Sequence, residues 1–495
     1  MIRLMKCYFV IGLAVMLSCS NNILNAQSLE IKSFDEIIVP GESMDAFDIE
    51  AFYKLILANH PIVKQAELLP ENAKQELRMA KGAFDPKLQS DWNVKNFKDT
   101  EYYDMFNASL KVPTWFPIDP KLSIDRNRGA FLNSENAIPM ADDFQQITAG
   151  VSLPIGRGLL IDQRRADVKQ AVIFNDISEA ERIKLINKVL LSAAKDYWTW
   201  FYSFYQFKLV TESVVISEEI YRRVKLDYSL GVAAAVDTIQ AAITLQNRTT
   251  DERAAQIEFL KSGFLVSNYL WGENEEPLEL VPSSVPVLPF GNSSIITEDE
   301  LVGLRVAAIE SHPELQKLGL KLNQLDIDER LAKENLKPTV NLDYNLINAP
   351  IGSNGGFNDV VLGRNYKFGF QFEFPLFLRK ERSKVRQTQI KIEQAELELN
   401  QTQREILNEI SSGYIELLNT MEMISLQQTA VSNYVLLLRA ELFNLENGES
   451  DLFKINFQQD KLLESQSKLL KLTSNYEKIR AALFWAAGLP YLRLE

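Results

Sequence analysis

The chain has 495 residues, 46% hydrophobic and 24% charged, enough for several folded units and unlike a disordered or collagen-like polymer. Its 53 Lys and Arg against 66 Asp and Glu leave a net charge of −13, which excludes a nucleic-acid partner, since phosphate binding needs a clustered basic surface. The two cysteines, Cys7 and Cys19, leave at most one thiol in a processed chain, so intramolecular disulfides and cysteine-metal clusters are excluded as well.

At the N-terminus, Arg3 and Lys6 precede an apolar run from Tyr8 to Leu17 that is too short to span a bilayer. Residues 1–26 therefore read as a secretory signal, with two exits left open: cleavage after Ala26, or lipid attachment at Cys19 after a signal that ends before it. No later window is apolar enough for a membrane helix, because even the aromatic run from Val189 to Leu209 contains Lys195 and Asp196. A chain that crosses a membrane must then do so with strands.

Residues 27–271 form a first unit that recurs at 296–495. Asn59-His60-Pro61 returns as Ser311-His312-Pro313, and His60 to Pro86 spans the same 26 residues as His312 to Pro338. In the first unit Leu88, Trp92 and Val94 alternate with Gln89, Asp91 and Asn93, and Ile147, Ala149, Val151 and Leu153 alternate with polar or small residues. This period of two predicts a strand hairpin over 86–154. Between its arms Phe106, Ala108, Leu110 and Val112 also alternate, and either an extra strand pair or a structured loop fits them.

Arg164 and Arg165 follow as a solvated helix start, with contact to anionic lipid the sharper alternative. A helical period then runs toward Gly231, and Tyr197, Trp198, Trp200, Phe201, Phe204 and Phe207 in its middle read as helix packing rather than a ligand box. Residues 272–295, with Pro277, Pro282, Pro286 and Pro289, are a connector.

The second unit repeats the order. Val340, Leu342, Tyr344 and Leu346, then Phe368, Phe370, Phe372 and Phe374, alternate with polar partners and predict a hairpin over 338–375. Arg379, Lys380 and Arg382 lead into a helical run of 73 residues from Pro375 to Gly448, roughly 110 Å if unbroken. Both histidines read as His-Pro turns that open helices, since proline suits a first helical turn.

The paired His-Pro turns, the Ala80-Lys81 and Ala332-Lys333 approaches to Pro86 and Pro338, Val151-Ser152-Leu153-Pro154, Phe372-Glu373-Phe374-Pro375, and Tyr228-Ser229-Leu230-Gly231 with Asp237 carry a resemblance to the TolC-type outer-membrane efflux proteins. It covers nearly all of the processed chain. The resemblance implies an α+β membrane protein: a homotrimer whose β-barrel, two strand hairpins per protomer, sits in the outer membrane and continues as a long periplasmic helical coiled-coil barrel, with the connector in an equatorial belt. It implies a passive exit duct for efflux or type I secretion, working with a periplasmic adaptor and an inner-membrane transporter. Leu230, Gly231, Asp237 and Gly448 would then be adaptor-docking tips. Glu446, Glu449 and Asp451 either cap helices or, tripled by symmetry, ring a constriction. No catalytic, metal or cofactor site is expected, and no nucleotide-binding loop is present. The alternative of another class is a periplasmic coiled-coil adaptor or interaction protein.

Overall fold

The structure, a computed structural model, describes residues 45–132, 146–281, 283–287, 296–347, 365–447 and 449–490. Cys19 and Gly448 lie outside them, as does the side chain of Glu446.

Before the connector, helices α1 (Ile49–Asn59) and α2 (Pro61–Lys81) lead to the strands, followed by α3 (Gln163–Ser229) and its return α4 (Ala235–Ser267). After it the pattern recurs as α5 (Glu298–Ser311), α6 (Pro313–Glu334), α7 (Arg379–Glu446) and α8 (Leu452–Ala486). The long helices have 67 and 68 residues, roughly 100 Å each at the α-helical rise. No described helix is long and apolar enough to cross a membrane.

The His-Pro turns act as anticipated. Each imidazole is an N-cap, its Nδ1 accepting from a backbone N–H two residues on (Ile62 and Glu314, both 3.2 Å), with Pro61 and Pro313 in the first turn. Each cap also meets the end of a return helix. His60 lies 5.9 Å from the Tyr269 ring and 6.4 Å from Trp271, just past α4, and His312 abuts Gly488, just past α8. The short helices near the strands and the return helices thus stack end to end, the first column flanking α3 and the second lying between α3 and α7.

Near the sheet the helices lie side by side in the order α2, α3, α6, α7, and at the far end in the order α4, α3, α8, α7. At mid-length, Tyr53, Tyr197, Trp198, Trp200, Phe201 and Tyr205 close a core with no ring more than marginally exposed. Burial of each such side chain contributes on the order of 2 kcal/mol. The polar tips of these rings hold the connector. The Tyr197 hydroxyl lies 2.9 Å from the Phe47 carbonyl and 3.0 Å from that of Val287, and the Tyr205 hydroxyl donates to Pro286 at 3.2 Å. Strands β1 (Asp45–Phe47) and β6 (Ser284–Pro286) pair there in parallel.

Among the described residues the main sheet has six strands: β2 (Lys87–Phe97), β3 (Thr100–Lys111), β4 (Asp119–Arg128), β5 (Gln146–Pro154), β7 (Thr339–Ile347) and β8 (Tyr366–Glu373). They are adjacent in that order, all antiparallel. This corrects the expectation of two hairpins per chain. The stretch between the arms of the first hairpin is a strand pair inserted within the sheet, so β2 and β5 do not touch. Lys98 and Asp99, with φ of 52° and 60° in the left-handed region, make the two-residue turn between β2 and β3, a turn whose twist matches the right-handed twist of the flanking strands. The two halves of the chain meet where β5 pairs with β7. The seam continues below the strands, where Ile155 and Arg157 donate to Val340 and Pro338 at 2.7 and 2.9 Å. A Cβ on Gly156 would run into the Pro338 carbonyl, so this close approach requires glycine.

Candidate functional site: the sheet face and the helical tips

Strand register sorts the sheet into two faces. Leu88, Trp92 and Val94 of β2 stand beside Leu110, Phe106 and Asp104 of β3, and Leu110 and Ala108 stand beside Leu122 and Ile124 of β4. Leu122 and Ile124 continue into Ala149 and Ile147 of β5, and Ala149 and Val151 into Leu346 and Tyr344 of β7. Tyr344, Leu342 and Val340 then face Phe368, Phe370 and Phe372 of β8. One face is therefore almost wholly apolar. The other presents Gln89, Asp91 and Asn93, Asn107 and Ser109, Ser123 and Asp125, Thr148 and Ser152, Asn341 and Asp343, then Lys367 and Gln371.

Among the described residues, no element covers the apolar face. Leu88 is 77% exposed, Trp92 72% and Phe370 63%. A sandwich strand would bury such residues against a second layer, whereas an apolar band of strands 8 to 12 residues long fits a bilayer. The band is bounded on the far side by Asp104, Arg126 and Arg128, with an Arg128–Asp104 ion pair at 2.9 Å. On the helical side it ends at exposed Phe116, Leu376 and Phe377.

The base of the sheet is tied to α3 through a contact that the sequence did not disclose. Arg164 reaches Asp119 at 3.3 Å and Asp162 at 2.9 Å, and its guanidinium lies 5.3 Å from the Phe84 ring. That ring in turn packs on Trp115, in the turn between β3 and β4, at 5.5 Å. Arg165 is buried, bonded to Asp162 and to the Gly158 and Leu159 carbonyls. Burial opposes the charge on Asp162, but the Arg165 amide and both guanidinium groups outweigh it and hold the carboxyl below its usual range. The solvated helix start expected for Arg164 and Arg165 is thus corrected to a strut. It does hold for Arg379, Lys380 and Arg382, which are exposed.

At the opposite end, α3 and α7 turn back side by side over a shared core of Ile220, Val224, Val431, Leu438 and Ile455. Leu230 closes α3 and is 68% exposed. Gly231 follows with φ of 78°, in the left-handed region, and nothing stands within 4 Å of where its Cβ would be. Asp237 accepts from the Ala234 amide at 3.1 Å. In the second turn Asp451 caps α8, accepting from Lys454 N at 2.9 Å, while the Ser450 hydroxyl donates to Glu441 at 2.6 Å. Glu449 is exposed. The carboxylates of Asp237 and Asp451 therefore carry a capping role. Tip residues 230 to 239 form an apolar surface, with Val232, Val236 and Ile239 at 80%, 64% and 61% exposure.

Residues 304–489 match the model of the family described as outer membrane efflux protein. Among curated proteins, none matches by sequence. Several solved structures are similar over nearly the whole chain. The Campylobacter jejuni CmeC outer membrane channel is 12% identical, with a TM-score of 0.62 over 95% of each chain. The Vibrio cholerae outer membrane protein VceC is 15% identical, with a TM-score of 0.61 over 90% of this chain and 97% of that one. The open state of the Neisseria gonorrhoeae MtrE outer membrane channel is 12% identical, with a TM-score of 0.61 over 90% of each.

Proposed function

We infer that this chain, a TolC-type outer-membrane efflux protein by its fold and by the family match of its second half, is the passive exit duct of an export machine. The observation that carries the reading is the uncovered apolar sheet face, set on helices roughly 100 Å long. Among the described residues, strand edges β2 and β8 are both unpaired, which a bilayer does not tolerate, so copies of the chain close the wall.

The helical layer asks for the same closure. Its outer columns expose apolar residues at heptad spacing: Val236, Ile243, Ile257 and Phe264 on α4, Ile390 and Leu397, then Leu436 and Phe443, on α7. Such seams are built to meet another coiled-coil column. A homotrimer supplies it, as a lipid-embedded barrel above a periplasmic tube. A periplasmic adaptor would have no use for an uncovered apolar sheet face, which sets that alternative aside.

Energy would come from an inner-membrane transporter, reached through a periplasmic adaptor docked on the tips around Leu230, Gly231, Asp237 and Gly448. Glu446, Glu449 and Asp451 would ring the narrow end and favour cations. Deleting the gene should abolish export, and the purified mature chain in detergent should run as a trimer that forms channels in lipid. A water-soluble monomer would end the proposal. Exchanging Glu449→Gln together with Asp451→Asn, which keeps a capping side chain, should lower cation over anion selectivity of single channels; unchanged selectivity removes the ring alone.

A further inference from the structure

We propose that three copies close a wall of 18 strands, six from each chain, with β2 of one copy beside β8 of the next. The proposal rests on the trimer reading above and adds the size of the pore. Two hairpins per chain would make 12.

Three observations bear on the inserted pair and a fourth on the two edges of the sheet. It is bonded on both sides, β3 to β2 and β4 to β5, so the wall does not run from β2 to β5 without it. The apolar and polar faces pass through it without a break: Phe106, Ala108, Leu110, Leu122 and Ile124 lie in the apolar band, while Asn107, Ser109, Ser123 and Asp125 lie on the polar face. Its inner turn, Val112 to Ile118, sits on the helical side of the sheet, pinned by Trp115 on Phe84 and Asp119 on Arg164, so the pair spans the height of the wall rather than looping away from it. Finally, β2 leaves the helices and β8 returns to them, so juxtaposing the two edges continues the antiparallel alternation around a closed ring.

Strands about 4.8 Å apart and tilted about 40° put 18 strands on a backbone radius of about 18 Å, against about 12 Å for 12 strands. The lumen cross-section of the membrane segment is then roughly twofold larger. Size selection falls to the helical end, and the barrel passes solutes whose girth a 12-strand wall would stop.

The test uses the full processed chain, reconstituted in nanodiscs and imaged by electron microscopy. A trimer with a barrel about 36 Å in backbone diameter is expected. A trimer with a barrel of about 24 Å overturns the 18-strand wall and leaves the trimer standing, whereas absence of a trimer overturns both. A second measurement places single cysteines in the inserted pair, with the parent chain as blank. In liposomes, a water-soluble maleimide should label Asn107→Cys and Ser123→Cys roughly tenfold faster than Ala108→Cys and Ile124→Cys, because only the first two face water. Equal rates at all four positions overturn the proposal.

Discussion

The two halves of the chain agree closely in their helices and differ in their strands. α3 and α7 have 67 and 68 residues, α4 and α8 have 33 and 35, and α2 and α6 have 21 and 22, each of the last two opened by a His-Pro cap. Yet one half gives four strands to the sheet and the other gives two. Helices that share one layer must end at the same level, since a longer one would leave an unmatched apolar seam. A sheet is freer: a strand pair leaves and returns on the same side, so its insertion preserves the antiparallel order. Length is therefore held constant across the helical layer, and width is the variable dimension of the sheet.

Three experiments press on that comparison, the largest effect first. Phe370→Arg, on the apolar face of β8, should cost about 2–4 kcal/mol, read as loss of heat-resistant trimer on gels. Ile124→Arg, on inserted β4, should cost about as much, while Gln371→Arg on the polar face should be tolerated. A tolerated Ile124→Arg would separate the inserted pair from the membrane wall.

A smaller effect belongs to the first half alone. A double-mutant cycle on Arg164→Ala and Asp119→Ala should show a coupling of about 1–2 kcal/mol in denaturant melts, because the two groups meet in a shielded contact at the sheet base. Arg379→Ala should change stability by less than about 0.5 kcal/mol, since that side chain is exposed.

The third effect should be equal in both halves. Removing either cap, His60→Ala or His312→Ala, should cost about 1 kcal/mol. Burial lowers both imidazoles below their ordinary value of 6.5, and the neutral form is the one whose Nδ1 can accept. The stabilisation is therefore complete above the unfolded value and lost as pH falls through the folded one. His60→Asn with His312→Asn should keep the caps and flatten the melting temperature between pH 7 and about pH 5. A steep decline that persists in the double variant would assign the acid sensitivity elsewhere.

Much of this architecture was legible because its signals are periodic. Four alternating phenylalanines at 368 to 374, the recurring His-Pro turns and two helical runs of similar length gave the sheet, the caps and the long helices. The inserted pair was ambiguous for a physical reason. β4 carries only Leu122 and Ile124 on its apolar face, with Arg126 and Arg128 beyond them, and Pro113, Pro117 and Pro120 punctuate its approach, so the segment resembles a loop. Arg164 was read as solvated because its partner Asp119 is far away in sequence and comes near only through that insertion. At the tips the carboxylates were legible as caps, whereas the exposed Val232, Val236 and Ile239 stood out only once the turn placed them together.

The small ladder of β1 and β6 sets an order of events in biogenesis. Asp45 pairs with Ser284, about 240 residues further on, a separation that makes this contact among the slowest to form. Helical columns can zip up locally, but the front of the chain has no seat until the connector is in place. The girdle at mid-length therefore closes late, on a protomer whose rods already exist.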